Sequence, residues 1–139
     1  MIVLDSNVIS ELMRPVPSPV VVSWLDQQPA HSIWTTSISI FEIHMGLCLL
    51  PKCKKREKLE KIFAEVLHDD LCGRVLDFDT NTATESSRIA SRLQAEGKPT
   101  DMRDLFIAGT VSARNAVLAT RNIKHFIHTG INIVNPWDL

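Results

Sequence analysis

Asp5, Glu42 and Asp104 are carboxylates whose positions in this 139-residue chain could do chemistry together. Asp5 ends the apolar run Ile2-Val3-Leu4. Glu42 stands one turn into the helix expected after the β-branched, aromatic stretch Ser32–Thr36. Asp104 falls in the first turn of a helix expected from about Met102, and Asn122 follows the stretch Val117–Thr120. Three acidic groups on one rim repel each other unless a cation lies between them. Hard oxygen donors of this kind suit Mg²⁺ or Mn²⁺, which bind through few carboxylates and keep several waters. Such a site supports metal-assisted hydrolysis of a phosphodiester, in which the ion lowers the pKa of a bound water and neutralises charge on the phosphate.

Each residue also has a purely structural reading. Asp5 is a good N-cap for the helix that follows it. Ser39 and Glu42 form a capping-box pattern, although with Ser37 as the cap Glu42 lies beyond the box. Asp104, three residues after Asp101, favours the positive end of its helix, and Asp101 reads as the cap of that helix. The basic run Lys52–Lys61 is interleaved with Glu57 and Glu60, the pattern of a solvated helix face; its other reading is a patch for RNA phosphates. Arg103, Arg121 and Lys124 lie nearer the proposed rim and are candidate RNA contacts. His44, Cys48 and Cys53 do not make a closed set of four zinc ligands, and burial is the expected role for them.

The elements that must position these groups follow from pattern and breakers. Ile2–Leu4 reads as a buried strand and Val8–Met13 as a helix broken by the proline-rich segment Arg14–Pro19. Pro19 suits the first turn of a second helix through Val22, Trp24 and Leu25. Ser32–Thr36 is a strand, and a helix from Ile38 to Leu50 stops at Pro51. Leu59, Ile62, Phe63, Val66 and Leu67 recur at helical spacing within one long helix expected over Lys52–Asp70. Gly73 precedes a strand at Val75–Phe78. Asp79 or Thr80 caps a helix through Ala83, Ile89, Ala90 and Leu93 that ends before Gly97 and Pro99. A helix over Met102–Arg114 turns Leu105, Ala108 and Val111 inward, and strands follow at Val117–Thr120 and Ile131–Val134. Short strands alternating with helices imply right-handed crossovers and a mostly parallel sheet, whose sites form at the carboxyl ends of its strands.

Composition is that of an ordinary globular domain, with 45% hydrophobic and 22% charged residues. No apolar run approaches the roughly 20 residues needed to cross a bilayer. The N-terminus lacks a secretory pattern, since Asp5 falls where the apolar region should be. Three cysteines without CxxC spacing suit a reducing cytoplasm. A net charge of −1 leaves any nucleic-acid contact to local patches.

The segments MIVLDSNVISE, SISIFEIHMGL, GKPTDMRDLFIAGT, VLATRN and INIVNPWD, in this order, resemble a PIN-domain ribonuclease toxin of the VapC type, FitB-like group. The resemblance spans essentially the whole chain. It implies an α/β fold, a single PIN domain over residues 1–139 with a mostly parallel central sheet flanked by helices on both faces. It implies Mg²⁺ or Mn²⁺ dependence and endonucleolytic cleavage of RNA, transfer RNA being the family-level substrate, with a 5′-phosphate and a 3′-hydroxyl as products. The implied partners are a cognate antitoxin with a DNA-binding domain and a second copy in a homodimer, with a higher toxin–antitoxin assembly on operator DNA. The family's three acidic positions fall on Asp5, Glu42 and Asp104, its hydroxyl positions on Ser6 and Thr120, and Asn7 follows the common pattern. Its fourth acidic position, often Asp, is Asn122, whose amide oxygen accepts hydrogen bonds but brings no charge; this favours one metal ion in the resting enzyme.

Other classes fit less well. A haloacid-dehalogenase-type phosphatase needs a second Asp where this chain has Asn7. A response-regulator receiver needs a phospho-acceptor after strand three, for which only Asp77 and Asp79 are available. The stronger alternative is a PIN-fold protein that binds RNA or antitoxin with weak or no catalysis, and Asn122 is the feature that favours it.

Overall fold

The computed structural model describes all residues, Met1–Leu139. Five strands, β1 (Ile2–Leu4), β2 (Ile33–Thr36), β3 (Val75–Leu76), β4 (Val117–Ala119) and β5 (Asn132–Val134), form one sheet in the order β3-β2-β1-β4-β5. Every pairing is parallel. Seven helices surround it: α1 (Ser6–Leu12), α2 (Pro19–Asp26), α3 (Ser37–Leu49), α4 (Lys54–Glu65), α5 (Thr80–Ala95), α6 (Met102–Ala113) and α7 (Ile123–Phe126). The α/β architecture expected from the sequence is the one observed.

Helices cover both faces because the strands bury both, and the strand period of two sorts the residues. Leu4 and Ala119 face one core with Val8, Ile9, Val21, Ile43 and Phe63. Their neighbours Val3 and Leu118 face the other, with Ile89, Leu93, Ile107, Ala108 and Val111. In that second layer α5 and α6 lie so close that a Cβ on Gly109 would come within 2.7 Å of the Ser86 backbone nitrogen. Leu105 is only partly buried, and Ile107, not singled out by the sequence pattern, takes the central place on α6.

Three local differences from the sequence reading have physical causes. The long helix expected over Lys52–Asp70 is α-helical only to Glu65 and widens to a π-helical turn over Val66–Asp70. That turn keeps Val66 and Leu71 in the first core before Gly73, with φ +71°, reverses the chain. β3 stops at Leu76 instead of Phe78, because this edge strand has only β2 to pair with; Phe78 packs on Phe106, with ring centroids 4.6 Å apart. α7 was not expected, since its four residues carry no periodicity; buried Phe126 pins it to the second core.

Strand order reverses between β1 and β4: one half of the sheet runs outward from β1 through β2 to β3, the other from β4 to β5. This is a topological switch point, where the loops leaving adjacent strands part and open a crevice at their carboxyl ends. Asp5 and Thr120 are the first residues beyond β1 and β4.

Candidate active site

Asp5 closes the β1–β4 ladder through its backbone N–H, which donates to the Ala119 carbonyl at 3.0 Å. Its side chain, only 4% exposed, does two things at once. Oδ1 accepts from the Ser6 N–H at 2.8 Å, so Asp5 does cap α1. Oδ2 accepts from Thr120 Oγ1 at 2.7 Å and from Asn7 Nδ2 at 3.3 Å. Asn7 Nδ2 also lies 3.2 Å from Thr120 Oγ1, its Oδ1 accepts from the Arg121 N–H at 3.2 Å, and the Asn122 N–H donates to Thr120 Oγ1 at 3.0 Å. Capping and placement at the crevice are therefore compatible roles of one carboxylate. Burial pushes the Asp5 carboxyl above its ordinary range, against the pull of the Thr120 and Ser6 hydrogen bonds, nearby His125 and Asn7.

Glu42 arrives from α3. The cap of that helix is Thr36, whose Oγ1 accepts from the Ser39 N–H at 3.0 Å. Neither Ser37 nor Ser39 caps it, so the capping-box reading of Glu42 is corrected: Ser39 is a buried helical residue bonded to Thr36. Glu42 Oε1 is buried and has no hydrogen-bond partner. Burial raises its pKa to about 7, repulsion from Asp5 adds to the rise, and Arg103 opposes it. Glu42 lines a cavity of about 490 Å³ with Ser6, Ser10, Arg14 and Arg103.

Asp104 stands in the first turn of α6, capped by Asp101 Oδ1 accepting from the Arg103 N–H at 2.9 Å. Burial raises its pKa, His125 opposes the rise, and Asp101 and Asp5 add repulsion. His125 Nδ1 lies 3.2 Å from Asp104 Oδ2. The two share a second cavity of about 300 Å³ with Asp101 and Lys124. His125 was missed in the sequence, since only the unanticipated α7 places it three residues beyond Asn122, facing Asp104.

The remaining candidates are distributed unevenly. Ser6 and Arg103 line the Glu42 cavity, Arg103 also pairing with Asp101 at 3.5 Å, and Lys124 lines the Asp104 cavity. Arg121 stands over the Trp137 ring. Asn122 is exposed, and its side chain makes no hydrogen bond as N-cap of α7. The burial expected for His44, Cys48 and Cys53 is corrected: all three are exposed. They lie on the outer side of α3 and in its exit turn, and His44 instead packs edge-on against Phe63.

No group of three or more His, Cys, Asp or Glu is drawn together closely enough to hold a metal ion by itself. The donor set nonetheless fits a hard divalent cation. Glu42 has an orphaned buried oxygen, an expensive condition for a carboxylate. It also feels repulsion from Asp5 and Asp104, which a cation would reverse. Mg²⁺ needs only one or two carboxylates and completes its shell with water and substrate oxygens.

An α/β domain with a buried carboxylate, Asp5, at its switch point and two half-buried ones, Glu42 and Asp104, on the helices beside it defines a class of candidate hydrolytic sites, and the chain belongs to the PIN domain family, which matches residues 2–131. Among its relatives, VapC ribonuclease Y4jK of Sinorhizobium fredii is 35% identical over 139 residues, 99% of each chain. Toxin FitB of Neisseria gonorrhoeae is 34% identical over 137 residues, again 99% of each. The solved structure of FitAB bound to the IR36 DNA fragment superposes with a TM-score of 0.89 at 34% identity, covering all of this chain and 97% of that one.

Proposed function

We propose that this protein is the toxin of a toxin–antitoxin pair and an Mg²⁺- or Mn²⁺-dependent endoribonuclease. The observation that carries the reading is Glu42: a buried, unpartnered carboxylate oxygen in the field of Asp104 and of Asp5, the carboxylate at the sheet's switch point. Relatives along the full length bear the names ribonuclease and toxin. Asp5, Glu42 and Asp104 would hold the cation. When bound, it supplies Lewis acidity that activates water and offsets charge on the phosphate. Thr120, Asn7 and the Ser6 N–H fix the orientation of Asp5. Arg103 faces Glu42 and offers a positive group to the RNA backbone, and Lys124 does so beside Asp104. Asn122, whose uncharged side chain makes no internal hydrogen bond, is available to accept from water or a ribose hydroxyl.

The FitAB–DNA assembly supports a DNA-binding antitoxin as partner. A homodimer, and transfer RNA as the substrate, belong to the same reading.

The test is cleavage of a labelled bacterial RNA pool by antitoxin-free protein in Mg²⁺, in Mn²⁺ and in EDTA. Discrete cuts that require metal and leave 5′-phosphates are expected, with transfer RNA the first fraction to resolve. Asn122 and the absence of three acidic or metal-ligating side chains close enough to hold an ion by themselves favour one other reading, a PIN-fold binder without turnover. Mn²⁺ binding by calorimetry with no cleavage under any of these conditions would establish that reading instead.

A further inference from the structure

The Arg121 guanidinium lies over the Trp137 ring, 5.0 Å from its centroid. Every other arginine side chain in the protein is committed to a partner. Arg14, Arg56, Arg88, Arg92, Arg103 and Arg114 face carboxylates, and Arg74 donates to the Ile33 and Asp70 carbonyls. Arg121 alone, exposed beside the candidate active site, sits over an indole and has no hydrogen-bond or ion-pair partner for its side-chain N–H groups. Stacking and hydrogen bonding use different parts of a guanidinium: the face stacks, while the in-plane fork remains open for two-point binding of a phosphate.

The stack is braced from a single face of α1, on which Asn7 and Glu11 are i, i+4 neighbours. Asn7 Oδ1 accepts from the Arg121 N–H at 3.2 Å, and Asn7 Nδ2 contacts Asp5. One turn on, buried Glu11 accepts from Trp137 Nε1 at 3.3 Å. Trp137 is further fixed by its own N–H donating to Asn135 Oδ1 at 3.1 Å and by the buried Pro136 before it. Glu11 is 5% exposed and held by Arg14 at 3.1 Å, so the indole edge is tied to a buried, ion-paired carboxylate. Arg121 is thus clamped at its backbone by the residue that touches Asp5 and supported at its side chain by the C-terminal turn.

We propose that Arg121 is a preorganised phosphate fork for the RNA phosphate next to the one cleaved, and that Trp137 and Glu11 are its positioning residues. The proposal rests on the ribonuclease reading above and adds a subsite to it. Preorganisation matters because a free arginine loses rotamer entropy on binding. One already held over an indole has less left to lose.

The test measures binding of a short labelled single-stranded RNA to full-length protein carrying Asp104→Asn, which blocks cleavage, across a salt series. Arg121→Ala is expected to weaken binding several-fold and to reduce the slope of log affinity against log salt by about 0.7, the value for one phosphate contact on a single strand. Trp137→Leu should reproduce that loss, and Trp137→Phe, which keeps a ring but not the bond to Glu11, should fall between. In an Arg121→Ala background Trp137→Leu should cost nothing more. An additive loss in both backgrounds is what a merely structural tryptophan would give, and it would overturn the positioning role. An unchanged slope in Arg121→Ala would overturn the fork. If Trp137→Leu does not fold, as judged by its thermal midpoint, Trp137→Phe and Glu11→Gln carry the same comparison. Protein that neither binds RNA nor, with Asp104 restored, cuts the RNA pool removes the ribonuclease reading and this subsite with it; protein that binds with unaltered slopes removes the subsite alone.

Discussion

Thr120 Oγ1 donates to Asp5 Oδ2 at 2.7 Å across the gap between β4 and β1. The same hydroxyl oxygen accepts from the Asn122 N–H and lies within bonding distance of Asn7 Nδ2. One buried hydroxyl thus sets the carboxylate's orientation and the start of the loop carrying Arg121 and Asn122.

Thr120→Val keeps the side-chain shape and removes that oxygen. The half-buried Asn7 amide and the Asn122 N–H lose an acceptor that water can replace, whereas buried Asp5 Oδ2 loses its donor, a cost of about 1–3 kcal/mol for a buried group left short of a partner. Asp5 loses the strongest bond lowering its pKa and so binds a cation less well. Loss of an outer-shell partner typically weakens metal affinity by about 10–100-fold. Mn²⁺ titration calorimetry is expected to show a fall in that range, and an unchanged affinity would separate Thr120 from the site.

Asp5 and Thr120 could be placed from sequence because topology does the work: a parallel sheet delivers strand ends to one edge, and both follow a strand directly, while Glu42 and Asp104 follow from the helix starts after β2 and at Met102. Thr36 was not recognised as the cap of α3, since Ser37 and Ser39 offer equally good capping chemistry and only the backbone turn decides among them. His125 depends on a four-residue helix too short for periodicity. The Arg121–Trp137 stack joins two segments of unrelated pattern, and the π-helical turn at Val66–Asp70 continues an apolar stripe that an α-helix would carry as well. Pairings set by tertiary packing leave no local signal.

Glu42 makes the metal-free protein less stable as pH rises. Its pKa is about 7 in the folded state against an ordinary 4.5, so between those values the folded chain binds more protons than the unfolded one. Stability is then lost as pH rises through that window. The thermal midpoint in EDTA is expected to fall between about pH 4.5 and pH 7, and Glu42→Gln should flatten that part of the curve. Mg²⁺ should oppose the fall most strongly at the upper end, where the carboxylate is free to bind it.

Gly109 is where α5 and α6 approach too closely for a side chain. An added Cβ would stand 2.7 Å from the Ser86 nitrogen and 2.8 Å from its Cα, both backbone atoms. Gly109→Ala gains helix propensity of about 1 kcal/mol but must separate the two helices, an overpacking cost of about 1–3 kcal/mol or more. Net destabilisation is expected in urea unfolding. A variant more stable than the parent would mean that the helices part freely.

Asp104→Asn separates chemistry from architecture better than any change at Asp5. Asp5 caps α1 and holds Thr120 and Asn7, so its removal damages the fold and the site together. Asp104 has only His125 as a side-chain partner, and its raised pKa records a charge kept at a cost in the metal-free protein. Neutralising it removes repulsion toward Asp5 and Glu42 while keeping nearly the same shape. In EDTA at neutral pH the thermal midpoint should therefore hold or rise; each 1 kcal/mol corresponds to roughly 3–5 °C in a domain of this size. RNA cleavage in Mg²⁺ should fall by about 10²-fold or more, the scale for losing one electrostatic element of a transition-state site. A carboxylate whose loss stabilises the protein and abolishes activity is retained for its chemistry. A variant that lost stability and kept its activity would show Asp104 to be serving the first turn of α6 instead.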